Sequence, residues 1–308
     1  MRKLTCFCLM LTMILGLIGC GTTENSSVTS LETESTQSDT ASKTENTPTK
    51  ESKKDMYIEK LKQSDVFKEY PADDWRSHAY DYKLIALTFD DGPLFSIVEE
   101  SEVVMRIVET ISQYEGKATF FFTGRSLEKN GFAVPQYVLD NGFEVANHSY
   151  NHSSLADVDY ETAVAEITAV NDMYEQNVGL RPKYFRGGGF SDGPEMWKVV
   201  AEQEMISIAC LTGGYGDHAG GSATVEGMTN RLLGGLVDGE IICMHSTNSK
   251  GVTPDALAIA LPELYENGYR FCTLTELFKF RGVEFDDIPK DEYIKKVVIT
   301  SKGEIAFN

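Results

Sequence analysis

The sequence predicts an α/β fold in which a parallel sheet curls into a distorted (β/α)7 barrel. Three observations support this prediction: seven short β-rich runs alternate with longer amphipathic runs, glycines end two of the helical patterns just before a strand, and ionisable residues follow several strand candidates. Repeated strand–helix units form parallel sheets with helices outside them. Seven such units favour a barrel over an open sheet.

The strand candidates are short and largely apolar, as strands buried on both faces are. In chain order they are Leu84–Phe89, Ala118–Phe122, Phe143–Ala146, Tyr184–Phe185, Ile206–Leu211, Ile241–Met244 and Tyr269–Leu274. The helix candidates between them are Ile97–Tyr114, Ser126–Asn141, Asp159–Glu175, Glu195–Gln203, Val225–Leu236 and Ala256–Glu266.

The spacing of apolar residues and the glycines at the helix ends support these helices. In Asp159–Glu175, apolar residues such as Ala163 and Ile167 recur every three to four positions, as a half-buried helix requires. Asn141-Gly142 and Asn267-Gly268 each end a helical pattern, because glycine readily adopts the left-handed conformation that follows many helices.

The N-terminus has the features of an export signal. Arg2 and Lys3 precede an apolar run from Leu9 to Ile18, which is too short to span a membrane comfortably. Residues 1–20 resemble a bacterial lipoprotein signal, in which Cys20 becomes the lipidated first residue of the mature chain. A plain secretory signal and an uncleaved anchor are the alternatives. We expect an extracytoplasmic protein whose attachment to the cell membrane is a lipid anchor only.

Composition divides the rest of the chain. Residues 21–55 are rich in Ser, Thr, Glu and Lys with almost no large apolar side chain, which predicts a disordered linker. Residues 56–83 carry Trp75 and Tyr80 and are expected to form a lead-in segment. The main domain follows, and residues 283–308 are a C-terminal extension in which 297–300 predict an edge hairpin.

Charge and cysteine usage exclude some classes of protein. The net charge is −19, which argues against nucleic acid or an anionic membrane surface as a partner. Six cysteines do not form a disulfide framework here, because Cys6, Cys8 and Cys20 belong to the export signal. The remaining three, in apolar contexts, are expected to be buried thiols: Cys210, Cys243 and Cys272.

Three stretches place ionisable residues at the ends of strand candidates. They are Thr88-Phe89-Asp90-Asp91-Gly92-Pro93, His148-Ser149-Tyr150-Asn151-His152 and Met244-His245-Ser246. One aspartate and two histidines can hold a divalent metal, which leaves a second carboxylate and a third imidazole for proton transfer. In α/β barrels the C-terminal ends of the strands converge on one rim, so we expect these groups to meet there.

These motifs resemble those of the polysaccharide deacetylase family, the NodB-type carbohydrate esterases. The resemblance covers about Leu84 to Phe280 and implies a deacetylase domain over residues 84–282. Residues 88–93 match the first motif fully, which implies that Asp90 is the general base and Asp91 a metal ligand. Residues 148–152 match His-(Ser/Thr)-x-x-His, which implies that His148 and His152 complete the metal site.

The third motif departs from the usual pattern. Arg186 is retained, and by resemblance it orients the base carboxylate. Gly188 replaces a usual proline, so a looser loop is expected. By the same resemblance the backbone N–H of Gly189 is the expected donor to the oxyanion.

The last two motifs are also altered. Where the family usually has a tryptophan, this sequence has Leu211. Asp217 lies where the family has an aspartate, and the resemblance implies that it accepts a hydrogen bond from His245 and raises the pKa of that histidine. The neighbouring His218 is expected to be an exposed loop residue or a rim contact rather than a ligand. Cys243 stands in for a usual leucine, and His245 is retained as the general acid.

The resemblance implies a hydrolase with one divalent metal ion, Zn²⁺ in the first place and Co²⁺ or Ni²⁺ as alternatives. Its expected substrate is an acetylated extracellular polysaccharide, with N-acetylglucosamine units of peptidoglycan or a related glycan as the leading candidate. Two alternatives stay open: an O-acetyl xylan esterase that uses the same site, and a catalytically weakened carbohydrate-binding lipoprotein. A metal phosphoesterase is disfavoured, because these residues supply no second metal site.

Overall fold

A computed structural model of the chain describes residues 52–93, 97–211, 217, 223–247 and 252–307. Seven parallel strands form one curled sheet in the order β5-β4-β3-β2-β1-β6, and β7 also pairs with β1. The strands are β1 (Lys83–Asp90), β2 (Thr119–Phe122), β3 (Glu144–Asn147), β4 (Tyr184–Phe185), β5 (Ile206–Ser207), β6 (Glu240–His245) and β7 (Tyr269–Cys272). The predicted α/β fold, with a parallel sheet curled into a distorted barrel, is confirmed.

Most helices follow a strand and cover the outside of the sheet, whereas the first precedes every strand, and the first and the last pack against residues of the inner side. They are α1 (Lys53–Lys62), α2 (Ile97–Ser112), α3 (Gly124–Asn130), α4 (Ala133–Asp140), α5 (Tyr160–Val178), α6 (Pro194–Glu202), α7 (Val225–Leu233), α8 (Val252–Glu266) and α9 (Leu274–Phe280). The single helix predicted over Ser126–Asn141 is wrong. It is two helices, because Gly131 after α3 has a φ of 72° that no α-helix can continue through.

Strand β1 is the centre of the sheet. Its residue Thr88 pairs with Thr119 of β2 on one side and with Cys243 of β6 on the other. Two residues earlier on the same strand, Ala86 pairs with Cys272 of β7. Because β1 ends at Asp90 beside the end of β6, its acidic terminus lies on the rim formed by the carboxyl ends of the strands.

Alternation along the strands separates two apolar clusters. Leu87 and Phe89 of β1 pack with the outer helices, together with Ile242 and Met244 of β6. The intervening residues face the inside of the barrel, where Ala86 and Ile241 belong to a second cluster. This alternation is the two-residue period of a strand, and it directs Asp90 and His245 inward with their strands.

The lead-in segment closes the inner cluster. Phe67 and Trp75 are buried and pack against Phe280 of α9. The Trp75 indole N–H donates to the backbone oxygen of Glu115, which precedes β2. Residues 56–83 thus cover the end of the barrel opposite the rim that carries Asp90 and His245.

The C-terminal extension contributes to the sheet itself. Ile294 bridges Ile208 just after β5, and Lys296 bridges Glu240 at the start of β6. Residues 294–297 therefore lie between the two ends of the sheet and connect them by backbone hydrogen bonds. Beyond them β8 (Val297–Ile299) and β9 (Ile305–Phe307) form an antiparallel hairpin, as the sequence predicts.

Among the described residues, no helix is long and apolar enough to cross a membrane. The export signal with Cys20 and nearly all of the predicted linker lie outside the described residues, and so does His218.

Candidate metal centre and active site

Asp91, His148 and His152 converge on one point at the rim of the barrel. One ligand atom from each of the three side chains lies within 4.8 Å of the others. Asp91 Oδ1 is 3.5 Å from Nε2 of His148 and 3.4 Å from Nε2 of His152. The structure therefore brings together the three residues that the sequence assigns to the metal, although they are up to 61 positions apart along the chain (152 − 91).

Local backbone geometry sets this arrangement. Asp91 follows β1 and has a φ of 75°, while Ser149 and His152 after β3 each have a φ of 58°. Non-glycine residues adopt this left-handed conformation rarely and at a cost. Three such residues at one site indicate that tertiary contacts, and not the backbone preference of each residue, hold this part of the chain in place.

A buried glutamate anchors the loop that carries both histidines. Glu166 of α5 accepts hydrogen bonds from the backbone N–H of Tyr150 at 3.1 Å and of Asn151 at 2.8 Å, and from the side-chain amide of Asn151. Asn147 accepts from the Ser149 N–H at 2.9 Å. Sequence reasoning missed Glu166, because a glutamate on an amphipathic helix has the pattern of a surface residue.

Two buried polar atoms at this site fit a cation. Asp91 Oδ1 and His148 Nε2 are buried and have no hydrogen-bond partner among the residues that the structure describes, and unsatisfied buried groups are costly. His148 Nδ1 lies 2.7 Å from the backbone oxygen of Arg186, so it carries the proton and donates. That contact leaves Nε2 to face the cluster with its lone pair, as a metal ligand requires. The donor set of one carboxylate and two imidazoles suits a divalent transition metal.

The site reaches solvent on one side. The side chain of His148 is 1% exposed, whereas that of His152 is 39% exposed. Burial and the adjacent His148 lower the pKa of His152, which favours the neutral ring that binds metals. Burial also acts to lower the pKa of His148, but the charge of Asp90 and the contact with Asp91 outweigh it and raise the pKa.

Asp90 is held by a fully buried arginine. Arg186 Nη1 donates to Asp90 Oδ1 at 2.6 Å and to the Thr88 hydroxyl at 2.9 Å. Its other nitrogens donate to the backbone oxygens of Ile208 and Ala209. Burial raises the pKa of Asp90, but the charges of Arg186 and His148 outweigh it and keep the pKa below its ordinary value.

The second carboxylate oxygen of Asp90 faces the metal-binding cluster. Asp90 Oδ2 lies 3.7 Å from His148 Nε2. The thiol of Cys243 donates to the same oxygen at 3.2 Å. Sequence reasoning missed this contact, because a cysteine within an apolar strand has the pattern of a core residue.

His245 is paired with Asp217, the partner that the resemblance to the family implies. His245 Nδ1 lies 3.0 Å from Asp217 Oδ1, and the His245 backbone N–H donates to Asp217 Oδ2. Burial lowers the pKa of His245, but the hydrogen bond with Asp217 and the charge of Asp90 outweigh it and raise the pKa to about 9. The buried Thr253 hydroxyl lies 3.1 Å from Asp217 Oδ2, a contact that sequence reasoning missed.

Gly188 allows two loops of the site to touch. It is buried, and a Cβ added there would lie 2.8 Å from the backbone oxygen of His152. Gly189 is exposed with a φ of 63°, and no atom of the described residues beyond its two chain neighbours lies within 4 Å of an added Cβ. Leu211, at the place of the usual tryptophan, is 37% exposed.

Comparisons with known proteins agree with this geometry. Residues 78–206 match the family model described as polysaccharide deacetylase. The chain is 30% identical over 201 residues to a peptidoglycan-N-acetylglucosamine deacetylase of Bacillus cereus, which is 65% of this chain and 90% of that protein. It is 29% identical over 211 residues to a bifunctional xylanase/deacetylase of Pseudobutyrivibrio xylanivorans. That match covers 68% of this chain and only about a third, 32%, of the relative's length.

Solved structures give the same result. A family 4 acetyl xylan esterase from Clostridium thermocellum, in complex with a cobalt ion, is 31% identical with a TM-score of 0.61. The match covers 70% of this chain and 98% of that one. A CE4 family pseudoenzyme from Bacillus anthracis is 25% identical with a TM-score of 0.56, over 64% of this chain and 66% of its own. With these matches and the cluster at the rim, the chain belongs to the polysaccharide deacetylase family.

Proposed function

We propose that this protein is a metal-dependent deacetylase that removes acetyl groups from N-acetylglucosamine units of peptidoglycan or a related extracellular glycan. One observation carries the proposal. Within the described part of the chain, Asp91 Oδ1 and His148 Nε2 are buried without hydrogen-bond partners directly beside Asp90, which Arg186 holds. A carboxylate that is kept ionised next to a cation site is the arrangement that a hydrolytic general base needs.

Asp91, His148 and His152 would hold one divalent ion. Three protein ligands with an open position are typical of catalytic zinc, so Zn²⁺ is our first choice, with Co²⁺ or Ni²⁺ as alternatives. The cobalt ion in the related acetyl xylan esterase structure supports a transition metal of this type. A bound divalent ion supplies a Lewis acid that acidifies water and polarises a carbonyl group.

Asp90 is the proposed general base. Its Oδ2 faces the cluster, and its lowered pKa keeps the carboxylate ionised and ready to accept a proton at neutral pH. Arg186 fixes the opposite oxygen, so the accepting oxygen keeps one orientation.

His245 is the proposed general acid. Its pKa of about 9 means that the ring is protonated at neutral pH and can donate to the leaving nitrogen. Asp217 orients the ring through Nδ1, which directs Nε2 away from Asp217. The backbone N–H of Gly189 is the proposed donor to the oxyanion that develops on the acetyl group.

Acetate release by the purified, zinc-loaded full chain tests the proposal. We expect release from peptidoglycan and from chitooligosaccharides. Asp90→Asn should lower kcat by about 10²–10⁴-fold while the metal content stays at one ion per chain. A near-normal rate in this variant would contradict the assignment of the base.

A second candidate is an O-acetyl esterase that acts on xylan. It is favoured by the likeness to an acetyl xylan esterase that covers 98% of that chain. Release of acetate from acetylxylan, with none from peptidoglycan or chitooligosaccharides, would decide for this alternative.

A third candidate is a carbohydrate-binding lipoprotein with weakened activity. It is favoured by the likeness to a pseudoenzyme and by the altered motifs at Gly188, Leu211 and Cys243. Metal binding without acetate release from any substrate in the panel would support it.

We also propose that the protein is exported and anchored through a lipid on Cys20, as the N-terminal pattern indicates. Wild-type protein should enter the membrane fraction and take up labelled palmitate. Cys20→Ala should take up no label. Equal labelling of both proteins would contradict the anchor.

A further inference from the structure

We propose that Cys243 is a positioning residue for Asp90, whose metal-facing oxygen it holds by a thiol hydrogen bond. The inference rests on the proposed deacetylase function, in which Asp90 accepts a proton. The thiol of Cys243 donates to that oxygen, so it adds a contact to the base beyond the one from Arg186.

The fold directs the two side chains toward each other. Cys243 lies on β6 in register with Thr88 of the neighbouring strand β1, two residues before His245. Because side chains alternate along a strand, Cys243 faces the inside of the barrel together with Ile241 and His245. Asp90 lies two residues beyond Thr88 and faces the same interior.

The contact between Cys243 and Asp90 is short and shielded from solvent. Cys243 Sγ lies 3.2 Å from Asp90 Oδ2, and the two residues are 1% and 3% exposed. Water therefore competes little for either group, and a buried hydrogen bond to a charged acceptor is stronger than an exposed one.

Two donors of different strength occupy the two oxygens of Asp90. The Arg186 guanidinium donates to Oδ1 at 2.6 Å, and the thiol donates to Oδ2. Contacts on both oxygens restrict rotation of the carboxylate about its terminal bond. A thiol is a weak donor, so Oδ2 keeps most of its basicity while its position is fixed.

The thiol is present as a donor at neutral pH. The contact with Cys210, burial and the charge of Asp90 together raise the pKa of Cys243 well above its ordinary value. The sulfur consequently keeps its proton beside the carboxylate.

The contact can be tested without any activity measurement. The infrared S–H stretching band of Cys243 is identified in the metal-free full chain as the band that Cys243→Ala removes. Asp90→Asn should move this band to higher frequency, because a neutral amide accepts a weaker hydrogen bond than a carboxylate. The control is Cys272→Ala, which removes another buried thiol whose Sγ lies 3.6 Å from the Ile85 oxygen. It should leave the Cys243 band in place.

The positioning role is tested by kinetics of the zinc-loaded chain. Cys243→Ala should lower kcat about three- to tenfold, the loss expected for one hydrogen bond, with KM unchanged. Cys243→Ser keeps a donor and should recover most of that loss. Cys272→Ala should have the wild-type kcat.

Several results would overturn the inference. They are a Cys243 band that Asp90→Asn does not move, a wild-type kcat in Cys243→Ala, a serine variant as slow as the alanine variant, or an equal loss in Cys272→Ala. A wild-type protein that releases no acetate would instead overturn the proposed function, whereas the infrared measurement would still decide whether the contact exists.

Discussion

Asp90 and His245 are register partners at the ends of two adjacent parallel strands. They are 155 positions apart in the sequence (245 − 90), yet the pairing of β1 with β6 sets them side by side. A carboxylate with a lowered pKa and an imidazole with a raised pKa therefore share one rim. Two titratable groups whose environments separate their pKa values in this way suit the base and the acid of one reaction.

Removal of a central ligand should remove the metal. His148→Ala deletes the buried Nε2, which has no hydrogen-bond partner in the described ranges, and we expect the variant to retain less than about a tenth of the wild-type metal content. Elemental analysis after dialysis measures this content. His78→Ala is the control, since His78 bonds to Ser77 in the lead-in segment, and it should keep the metal. Full metal content in His148→Ala would contradict the ligand assignment.

Replacement of Asp217 should change the titration of His245. The folded-state pKa of about 9 lies above the unfolded value of about 6.5. The protonated ring therefore stabilises the fold fully below about pH 6.5, and this contribution is lost as the pH rises through about 9. In Asp217→Asn the pKa should fall, and the alkaline limb of the kcat profile should move to lower pH.

Titration of the metal-free protein by NMR measures this pKa directly. The His245 ring resonances should titrate near pH 9 in the wild type and at clearly lower pH in Asp217→Asn. Identical titration curves for the two proteins would disprove the pairing as the cause of the raised pKa.

Loss of the glutamate anchor should weaken metal binding. Glu166 accepts two backbone hydrogen bonds from the loop between the metal-binding histidines, and changes at such supporting residues typically weaken metal affinity about 10–100-fold. We expect Glu166→Gln to bind Co²⁺ more weakly within that range, as measured by the visible absorption of the cobalt form. Glu161→Gln on the exposed face of the same helix is the control. Equal affinities in both variants would contradict an anchoring role.

The C-terminal segment should be required for stability. Ile294 is fully buried in the inner cluster, and its backbone oxygen accepts from the Ala209 N–H at 2.9 Å. Ile294→Ala should lower the free energy of unfolding by about 2–5 kcal/mol, as large-to-small changes in a core do. Urea unfolding measures the change. Ile299→Ala in the half-buried hairpin should lower it less, and a reversed order would contradict this role.

The sequence predicted the parts of the site whose chemistry is concentrated in short motifs. Asp90 and Asp91 follow a strongly apolar strand, and His148 and His152 have the spacing of a ligand pair. Hydrophobic runs located the strands, and the rule that strand ends converge brought the motifs together. These inferences need only local patterns and one topological rule.

Contacts between distant segments could not be predicted in the same way. Strand β5 is shorter than the predicted Ile206–Leu211. At its end the Ile294 N–H donates to the Ser207 oxygen and the Ala209 N–H donates to the Ile294 oxygen, so the chain there pairs with a segment near the C-terminus. Glu166 and Thr253 had no distinguishing pattern, since each acquires its role only through hydrogen bonds with residues outside its own helix. Burial of such polar residues is decided by tertiary structure and not by neighbours in the chain.

The contact at Gly188 has a consequence for attempts to engineer this protein toward the family consensus. Proline, which the resemblance gives as the usual residue there, would place a Cβ 2.8 Å from the His152 carbonyl oxygen, so the backbone of Gly188 or of His152 would have to shift. Introducing that proline alone would therefore disturb the contact behind the cation site. The loop that carries Gly188 and the loop that carries His152 are complementary in shape, and they have to be exchanged together when this chain is recombined with its relatives.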